Sequence, residues 1–474
     1  MSPTNLNRRK FINRSGAIAM GSLVAPSIST LASPFRAKAK LRIALVGTGI
    51  RGNSFWGRRV ARNYSNELEF VGLCDKNEGR VKFATKMIGV TCPTFTDFDQ
   101  MMKTVKPDML IVTTMDSTHH EFIIKGLGYG VNVITEKPLT TDEVKCNAIL
   151  DAEKKSGKKV IVGFNYRYGT LFTAIKEQLV TNKIGDITSV DFHWYLNTYH
   201  GASYFRRWHG ERDKSGTLLV HKSSHHFDLL NWFIDSDPVE VFAYGSLEHY
   251  GHNSSFRGEN CRKCTLKEQC KFYWDITKDN IAMDLYVANE QYDGYIRDNC
   301  LFRNNIDIYD KMAVQIKYAN NVSVSYSLTT YSPYEGWRIA FNGMNGRLDS
   351  WEDIPWRQQE KVNQAELHAK EMNQQEKREA ARYDEIIVMQ NWKDYELVKV
   401  PHSGFGHGGG DSRLQDKIFK NPDMEDPLKH AAGTRDGAFA ILIGVAARKS
   451  IEEQRPVKIE ELTDLKPMAK RQVS

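Results

Sequence analysis

The chain has 474 residues, a length that allows two domains, each with its own hydrophobic core. Its composition, 41% hydrophobic and 26% charged, is typical of a soluble globular protein. The formal net charge of +7 does not indicate a nucleic-acid partner. Residues 1–40 hold seven basic and no acidic residues, so the rest of the chain is near neutral.

Residues 1–32 are predicted to be a twin-arginine signal peptide. Arg8 and Arg9 precede a weakly apolar run over Gly16–Ala25, and small residues around Ala32 offer a cleavage position. The apolar run is far shorter than the roughly 20 residues that a membrane span needs. Because the twin-arginine route exports folded proteins, the sequence predicts a periplasmic or otherwise extracytoplasmic protein without a transmembrane span.

Alternating elements over residues 40–165 predict a Rossmann domain, an α/β fold with a doubly wound parallel sheet. The first strand runs into the turn Gly47-x-Gly49-x-x-Gly52, and a helical segment follows. Gly47 permits a tight turn, Gly49 lets the backbone approach a pyrophosphate, and Gly52 lets the helix pack against the strand. The free N–H groups at the helix start then favour the phosphates of a dinucleotide.

The second strand ends in Asp75, 23 residues after Gly52, where a carboxylate can bond the ribose hydroxyls of the cofactor. Asp75 favours NAD over NADP because a 2′-phosphate would meet a like charge. Lys76 and Arg80 lie near enough to accommodate that phosphate, so NADP remains the lesser alternative.

Two later strand ends make the sequence recognisable. One strand ends in Glu136-Lys137-Pro138, and the next in Asn165-Tyr166-Arg167-Tyr168. Together with the glycine turn and Asp75, these motifs resemble the glucose–fructose oxidoreductase/inositol dehydrogenase (Gfo/Idh/MocA) family over most of the chain after residue 40. The resemblance implies a second α+β domain, residues 166–474, with a mostly antiparallel open sheet that covers the nicotinamide.

The resemblance also implies that Lys137 contacts both the substrate and the nicotinamide. Its position at the carboxyl end of a parallel strand is where such sheets bind ligands, and an ammonium there can stabilise a developing alkoxide. The predicted cofactor-binding residues are Gly47, Gly49, Ile50, Arg51, Gly52, Asp75, Thr114, Asp116, His119, Glu136, Lys137, Asn165 and Arg167.

In this family an Asp is followed four residues later by a His and three residues after that by a second Asp. Here His225 matches the family His and Asp228 the second Asp, whereas His221 replaces the first Asp. Lys137, His225 and His221 are the predicted catalytic residues, with His225 as general acid and base. His221 is a partner, a second acid or base, or a ligand contact. A metal bound between His221 and His225, four residues apart, is an alternative.

Aromatic and basic residues are dense over 194–209, a composition suited to stacking on sugar rings and bonding hydroxyls. A glycine run over 404–411 lets the backbone approach a ligand. An aromatic core and a flexible hairpin tip are the respective structural alternatives. The predicted substrate contacts are Lys137, Tyr168, Arg207, Trp208, Lys222, His225 and His407.

Residues 250–305 have the character of an insertion that contains Cys261, Cys264, Cys270 and Cys300. Four cysteines can form a structural zinc site, and in an oxidising compartment two disulfides are equally reasonable. A polar segment over 352–385 is predicted to be an exposed helix or arm that contacts a second subunit of a homo-oligomer.

The predicted function is the transfer of a hydride between NAD and a ring hydroxyl carbon of a sugar, glycoside or polyol. Export predicts a tightly held cofactor, because free nicotinamide is scarce outside the cytoplasm. One alternative is a glycoside hydrolase or lyase that uses transient redox chemistry. Another is a non-catalytic sugar-binding protein on a Rossmann fold.

Overall fold

The computed structural model describes residues 39–353, 383–403 and 407–471. The predicted signal peptide lies outside these ranges, as do residues 404–406 of the glycine run and most of the predicted arm. None of the helices in the described ranges has the length and apolar character needed to cross a bilayer.

The first sheet has six parallel strands in the order β3-β2-β1-β4-β5-β6. The strands are β1 Leu41–Val46, β2 Leu68–Cys74, β3 Thr94–Phe95, β4 Met109–Val112, β5 Asn132–Thr135 and β6 Val160–Val162. Consecutive residues such as Leu110, Ile111 and Val112 are fully buried, because helices cover both faces of the sheet. The predicted doubly wound parallel sheet is therefore confirmed.

Five helices connect these strands. The first, α1, is π-helical over Gly52–Arg59 and α-helical over Val60–Asn63. The others are α2 Glu78–Ile88, α3 Phe98–Val105, α4 His119–Gly128 and α5 Glu143–Ser156. Asn77 and Asp142 begin α2 and α5 by accepting the backbone N–H three residues ahead, which satisfies an otherwise unpaired donor.

The second sheet has nine strands in the order β14-β13-β12-β11-β7-β10-β9-β8-β15. They are β7 Ile187–Asn197, β8 Pro238–Ser246, β9 Lys311–Tyr318, β10 Ser323–Ser332, β11 Gly336–Gly343, β12 Gly346–Glu352, β13 Tyr383–Gln390, β14 Glu396–Pro401 and β15 Val457–Lys458. Among the strand pairs that the described residues form in this second sheet, only β7 and β10 are parallel. Exposed and buried residues alternate along β9, as expected for a sheet with one solvated face. The prediction of a mostly antiparallel sheet is confirmed.

The described part of the second domain also contains several α-helices. They are α6 Thr170–Val180, α7 Thr198–Arg206, α8 Arg212–Ser215, α9 Leu218–His221, α10 Ser223–Ile234, α11 Asn280–Leu285, α12 Glu290–Asp293, α13 Gly410–Gln415 and α14 Thr434–Glu453. The centre of α14 is buried against α10 and β8. Residues Lys40–Ser474 form one compact unit, and the insertion connects β8 to β9 within it.

Candidate active site

A cavity of about 990 Å³ runs from the glycine turn across to the second sheet. It brings together most of the predicted site residues, namely Gly47, Gly49, Ile50, Arg51, Asp75, Thr114, Asp116, His119, Glu136, Lys137, Arg207, Trp208, His221, Lys222, His225 and His407. The predicted residues that do not line it are Gly52, Asn165, Arg167 and Tyr168. The volume is large enough for a cofactor end and a sugar together.

Steric constraints at the glycine turn explain two of its glycines. Gly47 has a φ of +92°, and a Cβ there would lie 2.6 Å from the backbone of Thr113. A Cβ on Gly52 would lie 2.1 Å from the carbonyl oxygen of Gly47. Both positions therefore require glycine, and the cradle that results is the shape that a pyrophosphate group needs. Gly52 does not line the cavity, but its lack of a side chain allows the turn to keep this shape.

Asp75 is held rigidly at the end of β2. Its carboxylate accepts hydrogen bonds from the backbone N–H of Thr48 at 2.8 Å and of Asn77 at 2.9 Å. Arg80 donates to the same carboxylate at 3.1 Å and to Asp293 of the insertion at 2.6 Å. The residue predicted to bond the ribose is thus fixed in place, and the neighbouring arginine is shared between two acids.

Glu136 anchors the start of α1 beside the cavity. It accepts hydrogen bonds from Arg51 Nε at 2.5 Å and from Trp56 Nε1 at 2.7 Å. The Arg51 guanidinium also lies 3.7 Å from the centre of the Phe55 ring. The positive charge of Arg51 is therefore balanced by an ion pair with Glu136.

Lys137 projects from the end of β5 towards the second domain. Its Nζ donates a hydrogen bond of 3.0 Å to the carbonyl oxygen of His221. Burial lowers the pKa of Lys137 to about 8, although the carboxylates of Asp116 and Glu136 raise it. This ammonium can therefore lose its proton near neutral pH, unlike an exposed lysine.

The imidazole of His221 is bonded to Asp116, a residue of the first domain. His221 Nδ1 lies 2.5 Å from Asp116 Oδ2, and both side chains line the cavity. Burial lowers the pKa of His221 well below its usual value, and the charge of Lys137 lowers it further. A carboxyl that fixes one ring nitrogen of a histidine leaves the other nitrogen for proton transfer.

His225 lies one helical turn after His221, at the start of α10. Its ring stacks on Tyr166 with centroids 4.2 Å apart, and its buried Nδ1 has no hydrogen-bond partner among the described residues. Burial lowers the pKa of His225 well below 6.5, and the nearby charges of Lys137 and Lys222 lower it further. A neutral imidazole of this kind can accept a proton.

Sequence reasoning missed one more titratable pair on the cavity wall. His200 Nδ1 lies 3.0 Å from Glu335 Oε1, and both residues line the cavity. Burial raises the pKa of Glu335 to about 7, while the charge of Lys222 opposes the rise. His200 falls in the segment recognised as aromatic and basic, but no sequence pattern marks Glu335, which simply precedes β11.

The predicted residues that do not line the cavity are used for internal packing. Arg167 is 1% exposed and donates to Asp228 at 2.5 Å and to Asp436 at 2.9 Å. Asn165 donates to Asp411 at 2.6 Å. Arg167 and Asn165 therefore connect the end of the first sheet to the helices of the second domain.

The insertion packs directly on the dinucleotide-binding turn. Tyr286 accepts a hydrogen bond of 3.0 Å from the backbone N–H of Ile50. Asn77 donates to the carbonyl of Asn289 at 2.9 Å, beside the Arg80–Asp293 ion pair. The insertion thus forms one wall of the cavity, which goes beyond the purely structural role expected from its cysteines.

The structure gives no support to zinc or to disulfides in the insertion. All four cysteines are free thiols, and Cys261 Sγ accepts a hydrogen bond of 2.9 Å from Arg206. Among the described residues, the cysteines do not form a group with metal-ligand spacing, nor do His221 and His225. The group with such spacing is Glu352, Asp384 and His402, in which His402 already bonds Asp384 at 2.9 Å.

The site fits a dinucleotide by its own features. The turn has a cradle that any side chain would fill, and a fixed carboxylate follows β2. The cavity continues from the turn to a lysine and two buried imidazoles. Fold and site together define an NAD-binding oxidoreductase with a cavity between a Rossmann sheet and a second, mostly antiparallel sheet.

Sequence comparison agrees with this class. Residues 41–164 match the NAD-binding Rossmann fold of the Gfo/Idh/MocA oxidoreductase family, and residues 176–459 match its C-terminal alpha/beta domain. The chain therefore belongs to the Gfo/Idh/MocA oxidoreductase family, as the motifs predicted.

The chain is also similar to three individual proteins. It is 37% identical over 446 residues to YteT of Bacillus subtilis (strain 168), named only as an oxidoreductase, covering 89% of this chain and 98% of YteT. It is 24% identical to an inositol 2-dehydrogenase/D-chiro-inositol 3-dehydrogenase of Lactiplantibacillus plantarum, over 44% of this chain and 57% of that enzyme. An oxidoreductase from Agrobacterium radiobacter, solved with NAD+, L-tartaric acid and magnesium, shares the fold, with a TM-score of 0.60 and 13% identity over 90% of this chain and all of the other.

Proposed function

We propose that the protein transfers a hydride between NAD and a secondary hydroxyl carbon of a sugar, glycoside or polyol. The observation that carries this proposal is the meeting of Lys137, His225 and the Asp116-bound His221 on one cavity wall. An ammonium and neutral imidazoles are the groups that the oxidation of a carbinol requires.

The protein's residues divide the work at the carbinol oxygen. Lys137 in its ammonium form donates a hydrogen bond to that oxygen and stabilises negative charge on it. His225 accepts the hydroxyl proton, because burial keeps its ring neutral and its side chain lines the cavity. NAD, when bound, accepts the hydride from the carbinol carbon.

The preference for NAD over NADP follows from two side chains. Asp75 would repel a 2′-phosphate, and Arg80 is already paired with Asp75 and Asp293. The Arg80 guanidinium is therefore not available to neutralise that phosphate, which leaves the exposed Lys76 as the other cation beside Asp75.

A glycoside hydrolase or lyase that works by oxidation, elimination and reduction is a second candidate function. It is favoured by the additional acid–base pairs on the same wall, His221 with Asp116 and His200 with Glu335. Elimination of an aglycone requires a second acid–base group besides the one that moves the hydroxyl proton.

Export by the twin-arginine route, with the cofactor bound beforehand, is proposed from residues 1–32. Deletion of that segment, or replacement of both Arg8 and Arg9 by Lys, is expected to leave the protein in the cytoplasm. Cell fractionation measures this, and unchanged export of the double lysine variant would contradict the proposed route.

The function is tested with the purified mature chain. Nicotinamide released on denaturation is quantified, and a panel of glycosides and polyols is screened at 340 nm, with product analysis by chromatography. Reduction of NAD supports the dehydrogenase. Free aglycone without net change in the cofactor supports the second candidate. Binding of NAD and sugar without either change would leave only a binding protein.

A further inference from the structure

Two arginines on the cavity wall form no ion pair among the described residues. Arg297, at the end of the insertion, is 8% exposed, and it has neither a hydrogen bond nor an ion pair within the described ranges. Arg207 is partly buried, and its Nε donates to the carbonyl of Ser203 at 3.0 Å. The terminal nitrogens of Arg207 have no acceptor in the part of the chain that the structure describes.

Of the other buried arginines among the described residues, two are paired with carboxylates, and Arg206 donates to Cys261 Sγ and to a backbone carbonyl. Arg167 is bonded to Asp228 and Asp436, and Arg80 to Asp75 and Asp293. A buried guanidinium without a counter-charge is unfavourable, because its desolvation is not offset. Arg207 and Arg297 therefore have the character of an anion-binding site.

Aromatic rings fix the direction of both guanidinium groups. Arg297 lies 5.1 Å from the centre of the Trp274 ring and 5.7 Å from that of Tyr286. Arg207 lies 5.2 Å from the centre of the Tyr204 ring. Stacked guanidinium groups keep their N–H edges free for a planar partner.

Both arginines line the cavity that also holds the proposed catalytic histidines. Burial and the charge of Arg297 together lower the pKa of Arg207 to about 10. Both arginines also lower the pKa of His209, whose ring centroid is 4.1 Å from that of His221. The pair thus borders the part of the cavity assigned to the substrate.

We propose that Arg207 and Arg297 bind a carboxylate on the sugar, so that the substrate is a uronic acid or a glycoside of one. Bidentate bonding between a guanidinium and a carboxylate supplies both affinity and orientation. This assignment rests on the proposed function, because it takes the cavity beside His221 as the sugar site. The pyrophosphate of NAD is the competing anion, although the glycine turn already provides its cradle.

Equilibrium binding tests the proposal without relying on turnover. Isothermal calorimetry on the NAD-loaded full chain compares methyl β-D-glucuronide with methyl β-D-glucoside, and methyl α-D-galacturonide with methyl α-D-galactoside. We expect at least one acid to bind about 10-fold or more tightly than its neutral partner, and its affinity to fall with added salt.

Substitutions at Arg297 locate the effect. Arg297→Gln should weaken binding of the acid about 10- to 100-fold, with little change for the neutral sugar or NAD. Arg297→Lys should keep part of the preference, because the charge remains but the fork is lost. Arg62→Gln, which removes one exposed positive charge from α1, is the matched control and should have no effect.

Three results would overturn the proposal. They are equal affinity for acids and neutral sugars, no binding of either acid, and a loss of NAD affinity in Arg297→Gln with acid binding unchanged. The last result would assign the pair to the pyrophosphate. If an acid binds as expected but no sugar is oxidised, the proposed function fails and the anion site stands.

Discussion

His221 stands where the resemblance to the family predicts an aspartate. Its ring bonds a carboxyl group of the other domain. Asp116 lies 105 residues earlier and bonds His221 at 2.5 Å. An imidazole that is hydrogen-bonded to a carboxyl group can accept and release a proton, as a catalytic carboxylate can. A histidine at position 221 can therefore still serve as an acid or a base.

Asp116→Asn tests this pairing. The amide keeps the shape of the side chain but replaces the carboxyl group that orients the ring of His221, so kcat should fall by roughly 10²-fold. NAD affinity, measured by fluorescence titration, should stay nearly unchanged. A kcat close to that of the unmodified protein would remove the pair from the mechanism.

The pH dependence of oxidation tests the state of Lys137. Its pKa is lowered to about 8, so it is an ammonium below that pH and a neutral amine above it. Since the ammonium form is proposed to stabilise the alkoxide, kcat/KM should fall as pH rises through about 8. His225 stays neutral down to well below pH 6.5, so neutral pH should lie on a plateau.

Two variants serve as controls for this profile. Lys137→Ala should abolish turnover while NAD stays bound. Lys137→Arg should lose the falling limb in any residual activity, because a guanidinium keeps its charge at higher pH. A kcat/KM that rises through pH 8 would instead make Lys137 the base.

At the scale of elements, the segment Asn165–Tyr168 after β6 connects the two sheets. Arg167 reaches Asp228 on α10 and Asp436 on α14, and these acids hold the pKa of Arg167 above its usual range despite burial. This ion-pair cluster positions α10, which carries His225. Its contribution to activity is therefore indirect.

Arg167→Met should strongly destabilise the fold. Removal of the cation leaves two carboxylates without their main partner, which costs about 3–5 kcal/mol in the free energy of unfolding. Urea denaturation measures this. Lys82→Met, which breaks an exposed ion pair with Glu78 on α2, is the control and should show a much smaller change.

The insertion is the second element that shapes the site. Its helix α12 ends at Asp293, which bonds Arg80 beside Asp75, and Tyr286 bonds the glycine turn. An element that packs over the cofactor mouth in this way slows exchange of the ligand.

Asp293→Asn should speed the release of NAD. The substitution weakens the contact between the insertion and Arg80, so we expect the dissociation rate to rise by about 10-fold. Stopped-flow measurement of NADH fluorescence provides the rate. Asp284→Asn, at an exposed position of the same insertion, should leave the rate unchanged. Equal rates in both variants would argue against a covering role for the insertion.

At the scale of the whole molecule, the cavity belongs to both sheets, so the cofactor should stabilise the entire fold. At a concentration of 100 times Kd, NAD should add about 2.7 kcal/mol to the free energy of unfolding. Differential scanning fluorimetry on cofactor-stripped protein should show a rise in Tm. NADP at equal concentration should give a smaller rise, because Asp75 repels the 2′-phosphate. Equal shifts would contradict the NAD preference.

Local sequence patterns determined the first domain and its contribution to the site. The glycine turn, Asp75 and Lys137 all follow strands, and a parallel sheet necessarily collects its carboxyl ends at one edge. Periodicity and turn geometry depend on neighbouring residues, and these are visible in a single sequence.

Tertiary structure alone decided which distant groups meet. Ile50 and Tyr286 are 236 residues apart, and no local pattern relates Glu335 to His200 or Asp116 to His221. Likewise, the sequence could not show that Arg297 forms no ion pair among the described residues, nor that Arg167 is an internal ion-pair partner. The sequence by itself determined the fold class, the cofactor turn and the lysine, because these depend on local geometry. The partners, charges and burial of the site depend on packing between segments far apart in the chain.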